Sequence, residues 1–209
     1  MSDHAYDVLS STPRFAGRVI SVRSDEVRMP DGHVVTRDVV EHPGAVGVVA
    51  LDDQDRVLMI RQYRPAIGAY LWELPAGLLD EVGESAADAA ARELVEEVGI
   101  GARTWAVLVD AYTSSGMTDE AYRIFLARDL SAKASDFVAG PDEESDLQEE
   151  WVPLDYAVAR VLAGEITNGL AAMGILATAL ARAASYTGVR SVDAPWSARP
   201  QHRLTPRTG

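Results

Sequence analysis

The sequence predicts an α+β domain in which a mixed β-sheet is sandwiched between helices, an α/β/α arrangement, with an antiparallel β-sheet appended at the N-terminus. Three observations lead there. Strand-like segments rich in Val and Ile fill the first third, and three segments of helical apolar spacing lie further on. A chain of 209 residues, 47% of them hydrophobic, is also long enough to bury one sizeable core.

Residues 16–29 and 33–40 read as strands around Met29-Pro30-Asp31-Gly32, where Pro pre-sets φ and Gly permits a positive one. The pattern repeats at 45–51 and 56–62 around Asp52-Asp53-Gln54-Asp55, which predicts a second hairpin. Shorter strands are expected at 71–74, 104–111, 122–127 and 150–152. The first helix runs from Ser85, an N-cap with Asp88 three residues on, to Gly99 as its C-terminal stop. Two more are expected at 155–163 and 168–184. Domain boundaries follow: a β appendage over 1–42, a main domain over 43–190, and a loose tail over 191–209 with three Pro and little apolar content.

Zero Cys excludes disulfides, thiolate metal sites and cysteine nucleophiles. The start, Met1 to Asp7, lacks the basic and apolar stretches of a signal peptide, and the apolar run at 169–181 is too short to span a bilayer. The expectation is a cytoplasmic protein with no membrane partner. A net charge of -13 argues against a nucleic-acid partner. That charge is concentrated: residues 77–100 hold seven acids and one base, and residues 141–150 hold six acids and no base. Two such segments are either solvated faces or oxygen donors that converge on a hard cation such as Mg²⁺, through which an anionic substrate binds. On the first helix Glu93, Glu96 and Glu97 share one face, where like charges repel. Spacing alone leaves both readings open.

The flanking residues are more specific. Leu74-Pro75-Ala76-Gly77, then Glu84, then Arg92-Glu93-Leu94-Val95-Glu96-Glu97-Val98-Gly99-Ile100 resembles the Nudix box of Nudix hydrolases. One departure stands out: six residues separate Gly77 from Glu84, one more than the family pattern, which reads as a loop insertion ahead of the helix. Further segments, Thr36 to His42, Gln62-Tyr63-Arg64, Trp72 to Gly77, Gly116 to Glu120 and Asp142-Glu143-Glu144, are similar to the ADP-ribose pyrophosphatase branch, actinobacterial members above all. That branch commonly carries Ser-Pro-Gly beyond the box, where this chain has Ser114-Ser115-Gly116.

The resemblance implies a Nudix fold and metal-dependent hydrolysis of ADP-ribose to AMP and ribose 5-phosphate, with Mg²⁺ or Mn²⁺ as cofactor. It implies metal ligands at Glu93, Glu97, Glu96, Glu144 and the backbone carbonyl of Ala76. It implies a catalytic base at Glu144, with Glu143 as fallback, and substrate contacts from Arg64, Arg37, Glu73 and Arg61. A homodimer formed through the N-terminal sheets is also implied. Two other functions are weighed: the same chemistry on an ADP-sugar, dinucleotide, flavin or oxidised nucleotide, and a sensor that binds ADP-ribose without cleaving it. The intact Arg92, Glu93, Glu96 and Glu97 count against the sensor. The four His are scattered, without metal-ligand spacing.

Overall fold

A computed structural model describes residues 6–132 and 147–200. Its elements in order are β1 (Asp7–Ala16), β2 (Ser21–Arg28), β3 (Val34–Glu41), β4 (Ala45–Ala50), β5 (Arg56–Arg64), β6 (Ala69–Glu73), β7 (Ala76–Leu78), α1 (Ala86–Val98), β8 (Ile100–Tyr112), β9 (Ala121–Ala132), β10 (Gln148–Pro153), α2 (Leu154–Leu162), α3 (Gly169–Ala183) and β11 (Arg190–Ser191). They build three sheets, ordered β1-β2-β3, β10-β5-β6 and β11-β8-β9-β4-β7. The last is mixed, because β4 runs parallel to β9 and antiparallel to β7.

Side-chain alternation along the strands divides the interior into two cores. Val46, Val48, Leu58 and Phe125 pack with Leu94 of α1 on one side of the main sheet. Val49, Leu51, Met59 and Ile124 pack with Leu154 of α2 and Ile175 of α3 on the other. Every residue of β4 is buried, as expected of a central strand covered on both faces.

That burial corrects the second predicted hairpin. The strands at 45–50 and 56–64 share only the isolated bridge Leu51–Val57, and β5 pairs instead with β6 and β10. The physical reason is long-range: Ala-Val-Gly-Val-Val-Ala, apolar at every position, takes β9 on one edge and β7 on the other and is covered on both faces, so no edge is left for β5. The intervening turn carries the chain from one sheet to the other, with Asp52 accepting from the backbone N–H of Gln54 and Arg56.

The first hairpin is as predicted, with Gly32 at φ 91 and β2 paired to β3 from Ser21–Glu41 to Arg28–Val34. Sequence reading missed β1, which is exposed along its whole length and contains Pro13 flanked by register shifts, a combination tolerated at an edge strand. All three helices are present. Ser85 caps α1 by accepting from the Asp88 N–H, Gly99 ends it at φ 63, and Asn168 caps α3 through the Ala171 N–H. Within the segment expected as a tail, residues 194–196 make specific contacts. Arg123 donates to the carbonyls of Ala194 and Pro195, and Trp196 packs against the α1-side core.

Candidate active site

A cleft of about 460 Å³ opens where the end of β3, the β5–β6 hairpin, β7, α1 and the start of β9 converge. Its floor is α1 laid against β7. Glu93 and Glu97, one turn apart, both line it, and the Ala76 N–H donates to Glu97 at 3.0 Å. Gly77 is required by the approach of these elements, since a Cβ there would stand 2.0 Å from the Glu93 carboxyl.

Arg92 organises the carboxylates. It grips Glu84 with two bonds of 3.0 Å and also reaches Glu93 at 2.8 Å and Glu96 at 2.9 Å. The extra loop residue ahead of Glu84 thus leaves it paired to Arg92. Those bonds, that to Glu84 first, hold Arg92 charged by raising its pKa. Burial pushes the Glu93 carboxyl upward, and Glu96 and Asp80 add to this against the pull of Arg92. Among the described residues no three carboxylate or imidazole groups already stand at metal-binding separation, Glu93 being held by Arg92 and Glu97 by Ala76. The donor set is nonetheless all oxygen, and Gly77 leaves the room the carboxylates need, so its chemistry fits a hard divalent cation. Glu143 and Glu144 lie outside the described residues.

Facing this floor, Arg64 on β5 makes a two-pronged pair with Glu73 on β6, at 2.9 and 2.6 Å. Glu73 is buried to 3% side-chain exposure while Arg64 retains 42%, so the carboxylate anchors a guanidinium whose outer edge meets the cleft. Strand alternation puts Gln62 on the same face as Arg64 and turns Arg61 to the opposite one. There Arg61 lies over Tyr70, 5.0 Å from the ring centre. Arg61 and Arg37 do not line the cleft, and Arg37 is exposed on β3. Glu96 also stays outside it, on Arg92.

Three further residues line the cleft that the sequence did not single out as site residues, His42, Glu120 and Tyr122, although the first two lie in segments that carry the resemblance. The His42 backbone N–H donates to Asp119, and its ring Nδ1 lies 3.1 Å from the Gly44 backbone N and 3.4 Å from a Glu120 carboxylate oxygen. Burial pushes the His42 pKa down, against the pull of Glu120 and Asp119. Thr113 donates to Glu120 at 2.8 Å. Tyr122 is pushed up to about 12 by burial and the adjacent Glu120. A lone His and a strand Tyr carry no spacing signal, whereas the Gly116 to Glu120 resemblance did mark Glu120.

Fold and site together define a member of the Nudix family, to which the chain belongs: the NUDIX domain matches residues 41–170. The nucleoside diphosphate sugar hydrolase N-terminal domain matches residues 6–40. Among individual proteins, the chain is 45% identical over 203 residues to an ADP-ribose pyrophosphatase of Mycobacterium tuberculosis, covering 96% of this chain and 95% of that one. It is 35% identical over 161 residues to an ADP-ribose pyrophosphatase of Bacillus subtilis, covering 77% and 85% respectively. The crystal structure of an ADP compounds hydrolase shares the fold with a TM-score of 0.76 at 23% identity, covering 88% of this chain and 98% of that one.

Proposed function

We propose that this protein hydrolyses the diphosphate of ADP-ribose to AMP and ribose 5-phosphate, using Mg²⁺ or Mn²⁺. The observation that carries the reading is the opposition, within one cleft, of Glu93 and Glu97 to the Arg64–Glu73 pair. Similarity to two ADP-ribose pyrophosphatases supports the substrate.

Glu93, Glu97, Glu96, Glu144 and the carbonyl of Ala76 would hold the cation. When bound, it supplies Lewis-acid charge for the diphosphate and for the attacking water. Arg64 neutralises diphosphate oxygens, and Glu73 keeps its fork from swinging away. Arg92 stays charged and orients Glu93 and Glu96. Glu144, or Glu143 in its place, takes the proton from water as its oxygen bonds to phosphorus and the bridging P–O bond breaks. Arg37 and Arg61 are assigned to substrate only in an assembled homodimer, where the cleft of one protomer is closed by its partner. We place the protein in the cytoplasm; among the described residues no helix is long and apolar enough to cross a membrane.

The test is incubation with Mg²⁺ and equimolar ADP-ribose, ADP-glucose, NADH and 8-oxo-dGTP, with Glu93→Gln in parallel and products resolved by ion exchange. AMP should appear fastest from ADP-ribose, and the variant should lose at least ~10²-fold in rate. Faster cleavage of another compound would move the substrate, and binding of ADP-ribose without turnover would favour a sensor.

A further inference from the structure

We infer that residues 190–200 form a strap that sets the position of the loop ahead of α1, with Arg199 as the positioning residue acting through Glu84 on the Arg92–glutamate cluster. The strap is anchored firmly at its start. Arg190 pairs with β8 in a short strand and donates to Asp110 at 2.6 Å. Arg123, 4% exposed, holds Asp110 with two bonds and the carbonyls of Ala194 and Pro195 with two more, and its guanidinium lies 5.0 Å from the Trp196 ring centre.

From this anchor the strap reaches both ends of the loop at residues 79–84. At the near end Pro200 lies so close to Gly44 that a Cβ there would meet it at 3.1 Å, and the Gly44 carbonyl accepts from the Leu79 N–H at 3.1 Å. At the far end Arg199 donates to the Glu84 carbonyl at 3.1 Å. Between Leu79, buried in the α1-side core, and the Glu84 carboxylate held by Arg92, the loop has little of its own to fix its backbone. Val82 is 87% exposed, Gly83 sits at φ 87, and the Glu84 N–H makes a long 3.3 Å bond to Glu81. Between the strap and the start of α1 lies a hollow of about 240 Å³, so Arg199 holds the loop by a hydrogen bond rather than by close packing.

Contacts then run without a break from Arg199 to the Glu84 backbone, from the Glu84 carboxylate to Arg92, and from Arg92 to Glu93 and Glu96. A shift of Glu84 by a fraction of an ångström moves the group that aims two of the proposed cation ligands. The inference rests on the reading of those glutamates as ligands, but its test needs no turnover.

Arg199→Ala and Arg199→Lys are made in the full chain, and amide hydrogen exchange and calorimetric titration with Mn²⁺ alone are compared with the parent. Loss of one such bond should speed exchange over residues 79–85 and weaken Mn²⁺ binding, each by about five-fold, with Tm nearly unchanged. The lysine, still a donor, should restore both. Unchanged loop exchange, unchanged Mn²⁺ affinity, acceleration spread evenly over the whole body, or failure of lysine to rescue would each overturn the strap. Absence of ADP-ribose hydrolysis in the parent would instead strike the proposed activity and leave this comparison intact.

Discussion

At Gly77 the site depends on a missing side chain. Because a Cβ would stand 2.0 Å from the Glu93 carboxyl, Gly77→Ala must displace either β7 or Glu93. Displacement of a reacting geometry by about 1 Å costs on the order of 10²-fold, and that is the expected fall in kcat for ADP-ribose. Circular dichroism should be unchanged, since the crowding is with one flexible carboxylate and not with backbone. Full activity in the variant would mean that Glu93 has a second working position. Gly77 was legible in the sequence as part of a motif, but its reason, the approach of β7 to α1, was not. Arg61 and Arg64 show the same divide: the expected strand at 56–62 holds Arg61 and ends short of Arg64, and only the longer β5, its pairing with β6 and the fall of the pleat decide that Arg64 lines the cleft.

Elements that close on themselves were readable, and elements that need distant partners were not. The cap bonds of α1 join residues three to five positions apart, so Ser85, Asp88 and Gly99 announce the helix locally. Strand β4 gains its neighbours from β7 and β9, and no local signal separates that from a hairpin with β5. A comparable long-range joint binds β8, β9 and β11 through Asp110. Burial alone would raise the Asp110 pKa, but hydrogen bonds from Arg123 and Arg190 bring it below the ordinary carboxylate value. The folded value is thus the lower one. Its stabilisation is present above the unfolded pKa of about 3.9 and is lost as pH falls through the folded value. Asp110→Asn should therefore lower Tm near neutral pH, and the gap to the parent should hold down to about pH 5 and narrow as pH falls further. A gap independent of pH, measured by calorimetry in low-salt buffers, would show that Asp110 acts through shape alone.

At the scale of the whole molecule, the N-terminal sheet is the part that no layer covers among the described residues. Neither core includes a residue before Val46, while Val8, Leu9, Phe15, Val19, Ile20 and Val34 are exposed on this sheet and its turns. The register puts Val8 on one face of this sheet and Phe15 and Val34 on the other, and a three-stranded sheet with exposed apolar side chains calls for a covering layer. A second copy of the chain would supply one, and the homodimer we propose should appear as twice the chain mass of 22.5 kDa in light scattering at micromolar concentration. A clean monomer would overturn it.

The sequence by itself determined the cap-to-cap helix with its aligned carboxylates, the arginine that holds them, the first hairpin and the family resemblance. These rest on hydrogen bonds and spacings a few residues long. Tertiary structure alone decided that β4 and β5 belong to different sheets, that Arg64 but not Arg61 meets the cleft, and that Tyr122 joins it. It also drew residues 190–200 against the loop before α1. Each of these depends on strand register and packing between segments tens of residues apart, where a one-residue shift reverses which face a side chain occupies.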